Sequence, residues 1–228
     1  MPSKIHQVPA SSARKTILVV DDHPMTREGV ANLLRREPGL AVCGALGTAK
    51  AALAAVRKKA PDLVLADLSL TDHSGLELIK NIHCLHPEVP VLVFSMHYES
   101  LYAERVLRAG ARGYIMKSEG AAKLLDAVNR VLRGEVYLSE VMRDHAVHRF
   151  TRGPGVARGN NAASLSDREL EVFELIGHAH GTREISRRLG VSTSTVETHR
   201  AHIKQKLSLR SATELVHAAI EWVAHSRP

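Results

Sequence analysis

Four short apolar runs, each ending in a polar or charged residue, frame the first half of the chain. Residues 17–20 run into Asp21 and Asp22, 63–66 into Asp67, 89–94 into Ser95 and 113–116 into Lys117. Apolar runs this short read as strands buried on both faces. The pattern predicts strands over 17–20, 40–45, 62–67, 89–95 and 112–116. Between and after them, apolar residues recur at helical spacing and predict helices over 24–36, 48–59, 74–84, 100–109 and 120–133. Five strands alternating with five helices imply parallel βαβ units, that is, a doubly wound five-stranded parallel sheet spanning 15–133. The punctuation agrees, with Pro61 and Pro90 at strand starts and Gly110 after the fourth helix.

In an open sheet of this kind ligands bind outside the carboxyl ends of the strands. The residues at those ends, Asp21, Asp22, Asp67, Ser95 and Lys117, are therefore expected in one pocket. Three carboxylates in one cleft repel and raise one another's pKa unless a cation sits among them. Hard oxygen ligands with open coordination positions suit Mg²⁺. With a lysine and a hydroxyl added, the set describes a phosphoryl site in which Asp67 is the nucleophile, Lys117 a phosphate counter-charge and Ser95 a hydrogen-bond donor.

The second half has a different rhythm. One amphipathic helix is expected over 139–150 with Ser139 as N-cap, and the Gly- and Asn-bearing stretch 151–163 reads as a flexible linker. The last 65 residues read as short helices in quick succession. A capping box at Ser166-Asp-Arg-Glu169 opens a helix carrying Leu170, Phe173 and Ile176. A second helix from Gly181-Thr182 carries Ile185 and Leu189 and stops at Gly190. A third has Val196, Ile203 and Leu207 inward. Helix, short Gly-bearing turn and helix form the helix-turn-helix signature. Ser211 to Glu214 caps a last helix with Leu215, Ala219 and Trp222 on one stripe that reads as core on its inner side, widened by Val216, Ile220 and Val223. The domains are thus a tail at 1–14, an α/β domain at 15–133, a linker at 134–163 and a small all-α domain at 164–228.

A net charge of +7 and a pI near 9.6 admit a nucleic-acid partner. The charge is local: 183–210 holds seven basic residues against two acids, whereas 164–182 holds one against four. No run approaches the roughly 18 apolar residues of a membrane span, and the first residues lack the apolar core of a signal peptide, so a cytoplasmic protein with no membrane partner is expected. Cys43 and Cys84 form no CxxC pair and are expected to be reduced and buried. His23 and His97 flank the pocket, but the hard oxygens there disfavour zinc, and His97 is expected to cap a helix or face solvent.

The segments VVDDHP (19–24), DLVLADLSL (62–70), SMH (95–97) and GARGYIMKSE (110–119) resemble the receiver domain of two-component response regulators. The segment LSDRELEVFELI and the stretch REISRRLGVSTSTVETHRAHIKQKL resemble the LuxR-type helix-turn-helix. Together they look like a NarL/FixJ-type response regulator. The resemblance implies a flavodoxin-like receiver that takes a phosphoryl group onto Asp67 from a sensor histidine kinase and catalyses nothing beyond its own phosphorylation and dephosphorylation. It implies Mg²⁺ held by Asp22, Asp67 and the backbone carbonyl of Ser69, with Asp21 acting through water. Ser95 and Tyr114 would form a switch pair, the ring following inward as Ser95 meets the phosphoryl group. Thr71 stands where the family often has proline, which puts the stiffness of that loop in question.

Double-stranded DNA is the implied partner of the second domain. Glu197, Thr198 and Ala201 are expected to face bases, Thr195 to contact DNA beside them, and Arg200, Lys204, Lys206 and Arg210 to meet phosphates. The last helix, through Leu215, Val216, Ala219 and Trp222, would join two phosphorylated chains as a homodimer, and contact with RNA polymerase is compatible with that role. Phosphate would shift the receiver from a form that covers the recognition helix to one that frees it. Two other readings stand beside this one. The first is a DNA-binding regulator that works without phosphate, its receiver serving only to bind partners. The second is a Mg²⁺-dependent phosphotransfer enzyme, disfavoured by Ser69 where a second acid would be needed.

Overall fold

The structure is a computed structural model and describes residues 14–140, 142–143 and 161–226. The first domain runs β1 (Lys15–Val20), α1 (Pro24–Arg35), β2 (Leu40–Leu46), α2 (Ala49–Lys58), β3 (Leu63–Ala66), α3 (Gly75–Leu85), β4 (Val91–Ser95), α4 (Glu99–Arg108), β5 (Gly113–Met116) and α5 (Ala121–Leu132). All strand pairs are parallel, in the order β2-β1-β3-β4-β5. The doubly wound sheet expected from the alternation is present. Its central strands are apolar along their buried lengths, residues 17–20, 63–66 and 91–94, because both faces are covered. Ile17, Val19, Leu63, Leu65, Leu92 and Ile115 pack under α1 and α5, against Val30, Leu34, Leu124 and Val128. Leu18, Val20, Val64, Val91 and Val93 pack on the other face under α2, α3 and α4.

The start of the sheet is pinned by Asp62. Its carboxylate accepts from the Thr16 backbone N–H and hydroxyl, both at 2.8 Å, and from Lys15 Nζ at 2.8 Å, tying the first residues of β1 to the entry of β3. The question raised by Thr71 has a local answer. The loop between β3 and α3 is fastened by Asp72, whose two carboxylate oxygens accept the Ala49 and Lys50 N–H groups at 2.9 and 3.0 Å, capping α2 from a distance. A loop that has lost proline's stiffness is held instead by the free donors of a neighbouring helix.

The second domain follows a 3₁₀ turn at Asn161–Ser164 and comprises α6 (Asp167–Gly177), α7 (Thr182–Leu189), α8 (Thr193–Lys206) and α9 (Ala212–Ser226). The Ser166–Glu169 capping box forms, and Gly190 ends α7 in the left-handed region at φ +62. Leu170, Phe173, Ile176, Ile185, Val196, Ile203, Leu207, Leu215, Ala219 and Trp222 make its core. The Phe173 and Trp222 rings lie 5.4 Å apart. Leu215, Ala219 and Trp222 are buried against α6, the core side expected of this helix, which leaves a dimer face to its other residues. An apolar stripe at helical spacing looks the same whether it faces a core or a partner. Val216 is half-buried, and Ile220 lies on the outward side.

Two further expectations need correction or limits. Cys43 and Cys84 are both exposed, one on the edge strand β2 and one on the outer side of α3. The helix expected over 139–150 begins as foreseen, with Ser139 Oγ accepting from Met142 N at 3.2 Å, while residues 144–150 lie outside the described residues. The linker expected at 151–163 lies mostly outside them too; its last residues belong to the 3₁₀ turn.

The hydrogen bonds from Lys15 and Thr16 hold the Asp62 carboxyl at about 2, below its ordinary 3.8. A depressed carboxylate stabilises the fold above its unfolded pKa and ceases to as it is protonated in place. The Asp62 contribution is therefore complete above about pH 4 and disappears as pH falls towards 2. Because the side chain is partly exposed, it is on the order of 1 kcal/mol or less. An Asp62→Asn chain is expected to melt slightly lower than wild type at pH 6, with the two midpoints converging near pH 2, read by calorimetry across that range.

Candidate phosphoryl pocket and nucleic-acid interface

The strand order brings the carboxyl ends of β1, β3, β4 and β5 to one edge. There, Lys117 Nζ lies 2.7 Å from Asp21 Oδ2 and 2.6 Å from Asp67 Oδ2, with all three side chains nearly buried. Burial works against the lysine charge, but the Asp67 and Asp21 carboxylates outweigh it and raise its pKa above the ordinary value. The other oxygens are held by backbone: Leu68 N donates to Asp67 Oδ1 at 2.7 Å and His23 N to Asp21 Oδ1 at 2.8 Å. Gly75, first residue of α3, approaches this loop so closely that a Cβ would stand 2.3 Å from the Asp67 carbonyl oxygen.

Asp22 differs from its neighbours. Its Oδ1 is buried and accepts no hydrogen bond from any described residue, although the His23 ring stands 2.7 Å away as an ion-pair partner. Burial, with the Asp67 and Asp21 charges beyond it, raises its pKa. Oxygens of Asp21, Asp22 and Asp67 and a ring nitrogen of His23 gather within 4.8 Å of one another. A cluster of hard oxygens with one left unsatisfied fits a small divalent cation such as Mg²⁺.

Ser95 is fully buried at the end of β4, with its Oγ 3.4 Å from the His97 N–H. The Tyr114 ring is also fully buried and donates to the His97 carbonyl at 2.8 Å. The ring thus takes the inward position of the switch pair. Ser69 lies two residues beyond Asp67, and its hydroxyl pairs with His97 Nε2 at 2.8 Å. His97, expected at a cap or in solvent, is turned inward, and its Nδ1 lies 2.7 Å from Glu174 Oε2 of the second domain. The sequence reading missed Glu174 because an acid among the apolar positions of an amphipathic helix looks like part of its solvated face.

The two domains are docked along α6. Asp167 pairs with Lys80 at 2.8 Å and Arg105 at 3.1 Å, Glu171 accepts from Ser74 Oγ at 3.0 Å, and Glu174 accepts from Tyr102 OH at 2.8 Å as well as meeting His97. Arg105 also donates to the Leu165 and Ala162 carbonyls. A Cβ on Gly190 would come within 3.0 Å of the Thr71 carbonyl, so the turn between α7 and α8 lies against the receiver-side loop.

On α8, Glu197, Thr198 and Ala201 are exposed on the outer side. Glu197 accepts from Thr182 Oγ1 at 2.7 Å, with Arg200 Nε 3.8 Å away, so its charge is partly answered. The Thr195 hydroxyl pairs with Ser192 at the N-cap. Arg200 and Lys204 are half-buried and Arg210 is exposed, while Lys206 is committed to Glu169 at 2.6 Å. Docking leaves the outer face of α8 open, which corrects the expectation that a docked form covers the recognition helix. Arg183 and Arg187, exposed on α7, extend the basic surface. Their place in the basic stretch 183–210 was the signal for them.

Residues 17–129 match the response regulator receiver domain, and residues 163–219 match the luxR family of bacterial regulatory proteins. The chain belongs to the response regulators that join a receiver to a LuxR-type helix-turn-helix, a class of phosphorylation-controlled DNA-binding transcription regulators. It is similar to the oxygen regulatory protein NreC of Staphylococcus carnosus strain TM300, 35% identical over 209 residues that cover 90% of this chain and 96% of that one. The transcriptional activator protein ExaE of Pseudomonas putida is 38% identical over 208 residues, covering 90% and 95%. In fold it resembles the RcsB response regulator of Salmonella typhimurium, with a TM-score of 0.68 and 20% identity over 95% of this chain and all of that one. Receiver domains generally bind Mg²⁺ through acidic residues, and response regulators interact with histidine kinases and promoter DNA. Among the described residues no helix is long and apolar enough to cross a membrane.

Gly75→Ala is expected to displace the Asp67 loop, since its Cβ meets backbone that has no side chain to move aside. The cost should be about 1–3 kcal/mol. Calorimetry of the full chain should show a lowered first transition, and an unchanged midpoint would mean the loop yields freely.

Proposed function

We propose that Asp67 is the phosphoacceptor, and the observation that carries this is Lys117 lying between Asp67 and Asp21 in a nearly closed pocket. A carboxylate oxygen of Asp67 attacks the phosphorus of a kinase phosphohistidine, an acyl phosphate P–O bond forms, and the P–N bond breaks as the imidazole leaves with a proton. Lys117 then follows the charge from the carboxylate to the phosphoryl oxygens, and the Ser95 hydroxyl donates to one of them. Asp22, Asp67 and the Ser69 carbonyl are the residues that would hold Mg²⁺, with Asp21 supporting through water. When bound, the cation supplies positive charge against the phosphoryl oxygens. The chain's chemistry ends with its own phosphorylation and dephosphorylation, in keeping with a regulator in the cytoplasm.

Through α8 the chain reads a duplex. Glu197, Thr198 and Ala201 face bases, Thr195 stands beside them, and Arg200, Lys204 and Arg210 serve phosphates with Arg183 and Arg187. Lys206 joins them only if it leaves Glu169. Because the docked receiver lies against the turn before α8, it limits the approach of a duplex at that end of the motif, and phosphorylation relieves the limit. Val216, with Ile220, is the outward part of α9 available for a homodimer. ExaE is named a transcriptional activator, which supports activation, and with it contact with RNA polymerase, as the mode of action. The open outer face of α8 favours a second reading in which DNA is bound without phosphate.

Binding of the full chain to a selected pool of duplexes, with Mg²⁺ and acetyl phosphate, separates the two. Phosphorylation is expected to tighten binding by about tenfold, within the usual range of coupling, and Asp67→Asn should not respond. Equal binding by both chains under every condition would establish the second reading. Lys204→Ala should weaken binding to all duplexes alike and lower the slope of log K against log salt by about 1.

A further inference from the structure

We infer that Glu174, in the DNA-binding domain, is a positioning residue for the phosphoryl pocket, acting through His97 on the loop that follows Asp67. The three acids of α6 that meet the first domain, at positions 167, 171 and 174, share one helix face, yet their contacts differ in kind. Asp167 reaches Lys80 and Arg105, on α3 and α4 and away from the pocket. Glu171 reaches Ser74, the N-cap of α3. Glu174 is joined to the pocket by a continuous line: Glu174 Oε2 to His97 Nδ1 at 2.7 Å, and His97 Nε2 to Ser69 Oγ at 2.8 Å. Ser69 is two residues from Asp67, and His97 is two residues from Ser95.

The line is held from the sides. Tyr102 donates to the same Glu174 oxygen and lies against the His97 ring at 4.8 Å, and Tyr114 fixes the His97 backbone through its carbonyl. The imidazole therefore has both ring nitrogens engaged, and the Ser69 hydroxyl pairs with a histidine whose ring is held by a residue of the other domain. The inference rests on Asp67 being the acceptor. If phosphorylation and docking oppose each other, linkage requires that docking also oppose phosphorylation. The contact through which that opposition reaches the pocket is Glu174.

The test is phosphorylation of Asp67 in the full chain by acetyl phosphate with Mg²⁺, followed by mass spectrometry, with circular dichroism to confirm folding and hydrogen exchange over α4 and α6 to report docking. Glu174→Ala and His97→Ala should each speed phosphorylation by about fivefold or more, the lower end of common coupling strengths. The double variant should be no faster than either single, since both break one line. Glu174→Gln, which keeps an acceptor oxygen in place, should fall between wild type and Glu174→Ala. Arg105→Ala loosens docking at a point remote from the pocket and should give a smaller increase. Equal rates for Glu174→Ala and wild type overturn the inference alone, as do additive effects or an equal increase from Arg105→Ala. A wild-type chain that takes up no phosphoryl group overturns the acceptor assignment and this inference with it.

Discussion

One ammonium between two buried carboxylates sets the conditions for the rest of this molecule. Lys117 reaches from the end of β5 across the end of β4 to Asp67 on β3 and Asp21 on β1. Two carboxylates crowded at adjacent strand ends with so little water need a counter-charge between them, and Lys117 supplies it. A buried ion pair of this sort is weak evidence for stability, because desolvation offsets much of the attraction. Its consequence is chemical: a positive charge stands beside the Asp67 oxygen, with the Asp22 carboxylate close by in the same acidic cluster.

That arrangement needs the loop after Asp67 to stay in place, and the chain holds it without the proline its family often has. Asp72 fastens the loop to the first turn of α2, Ser74 caps α3, and Gly75 lets α3 start against the Asp67 backbone. The ends of the loop are therefore fixed, and in its middle Ser69 and Thr71 face outward while Leu70 turns into the core. The DNA-binding domain meets that middle: Thr71 at Gly190, and Ser69 through His97. Local capping thus decides which part of the loop is free to report on the pocket.

The strands and the pocket were legible for one reason, the covering of both sheet faces. It made each central strand a solid apolar run, so the residue ending the run was visible as a functional end. Apolar periodicity also located all four helices of the second domain, but it could not say what covers a stripe. Leu215, Ala219 and Trp222 read as core on their inner side, but the spacing alone did not show where the core side of the helix ends and a dimer face could begin. Acids were harder still. Asp167, Glu171 and Glu174 share one face of α6 and read as its solvated side, and only the docked domain shows that two of them are buried. His97 was misread for the same reason: its partners lie 28 and 77 residues away.

The docked interface is uneven in strength, and the unevenness bears on how it can switch. The Lys80 and Arg105 pairs with Asp167 are partly exposed and worth little, and salt screens them. Glu174 is buried, and burial pushes its carboxyl pKa up. The hydrogen bonds from His97 and Tyr102 and the imidazole charge outweigh this and hold it below its ordinary value. Removing one partner from such a group costs far more than removing a surface pair, because the other is left buried and unanswered. Separation of the domains is therefore resisted mainly at the contact nearest the pocket. A change at Asp67 that moves Ser69 and His97 acts where the interface is strongest, whereas the same displacement at Lys80 on α3 would disturb only what solvent already weakens.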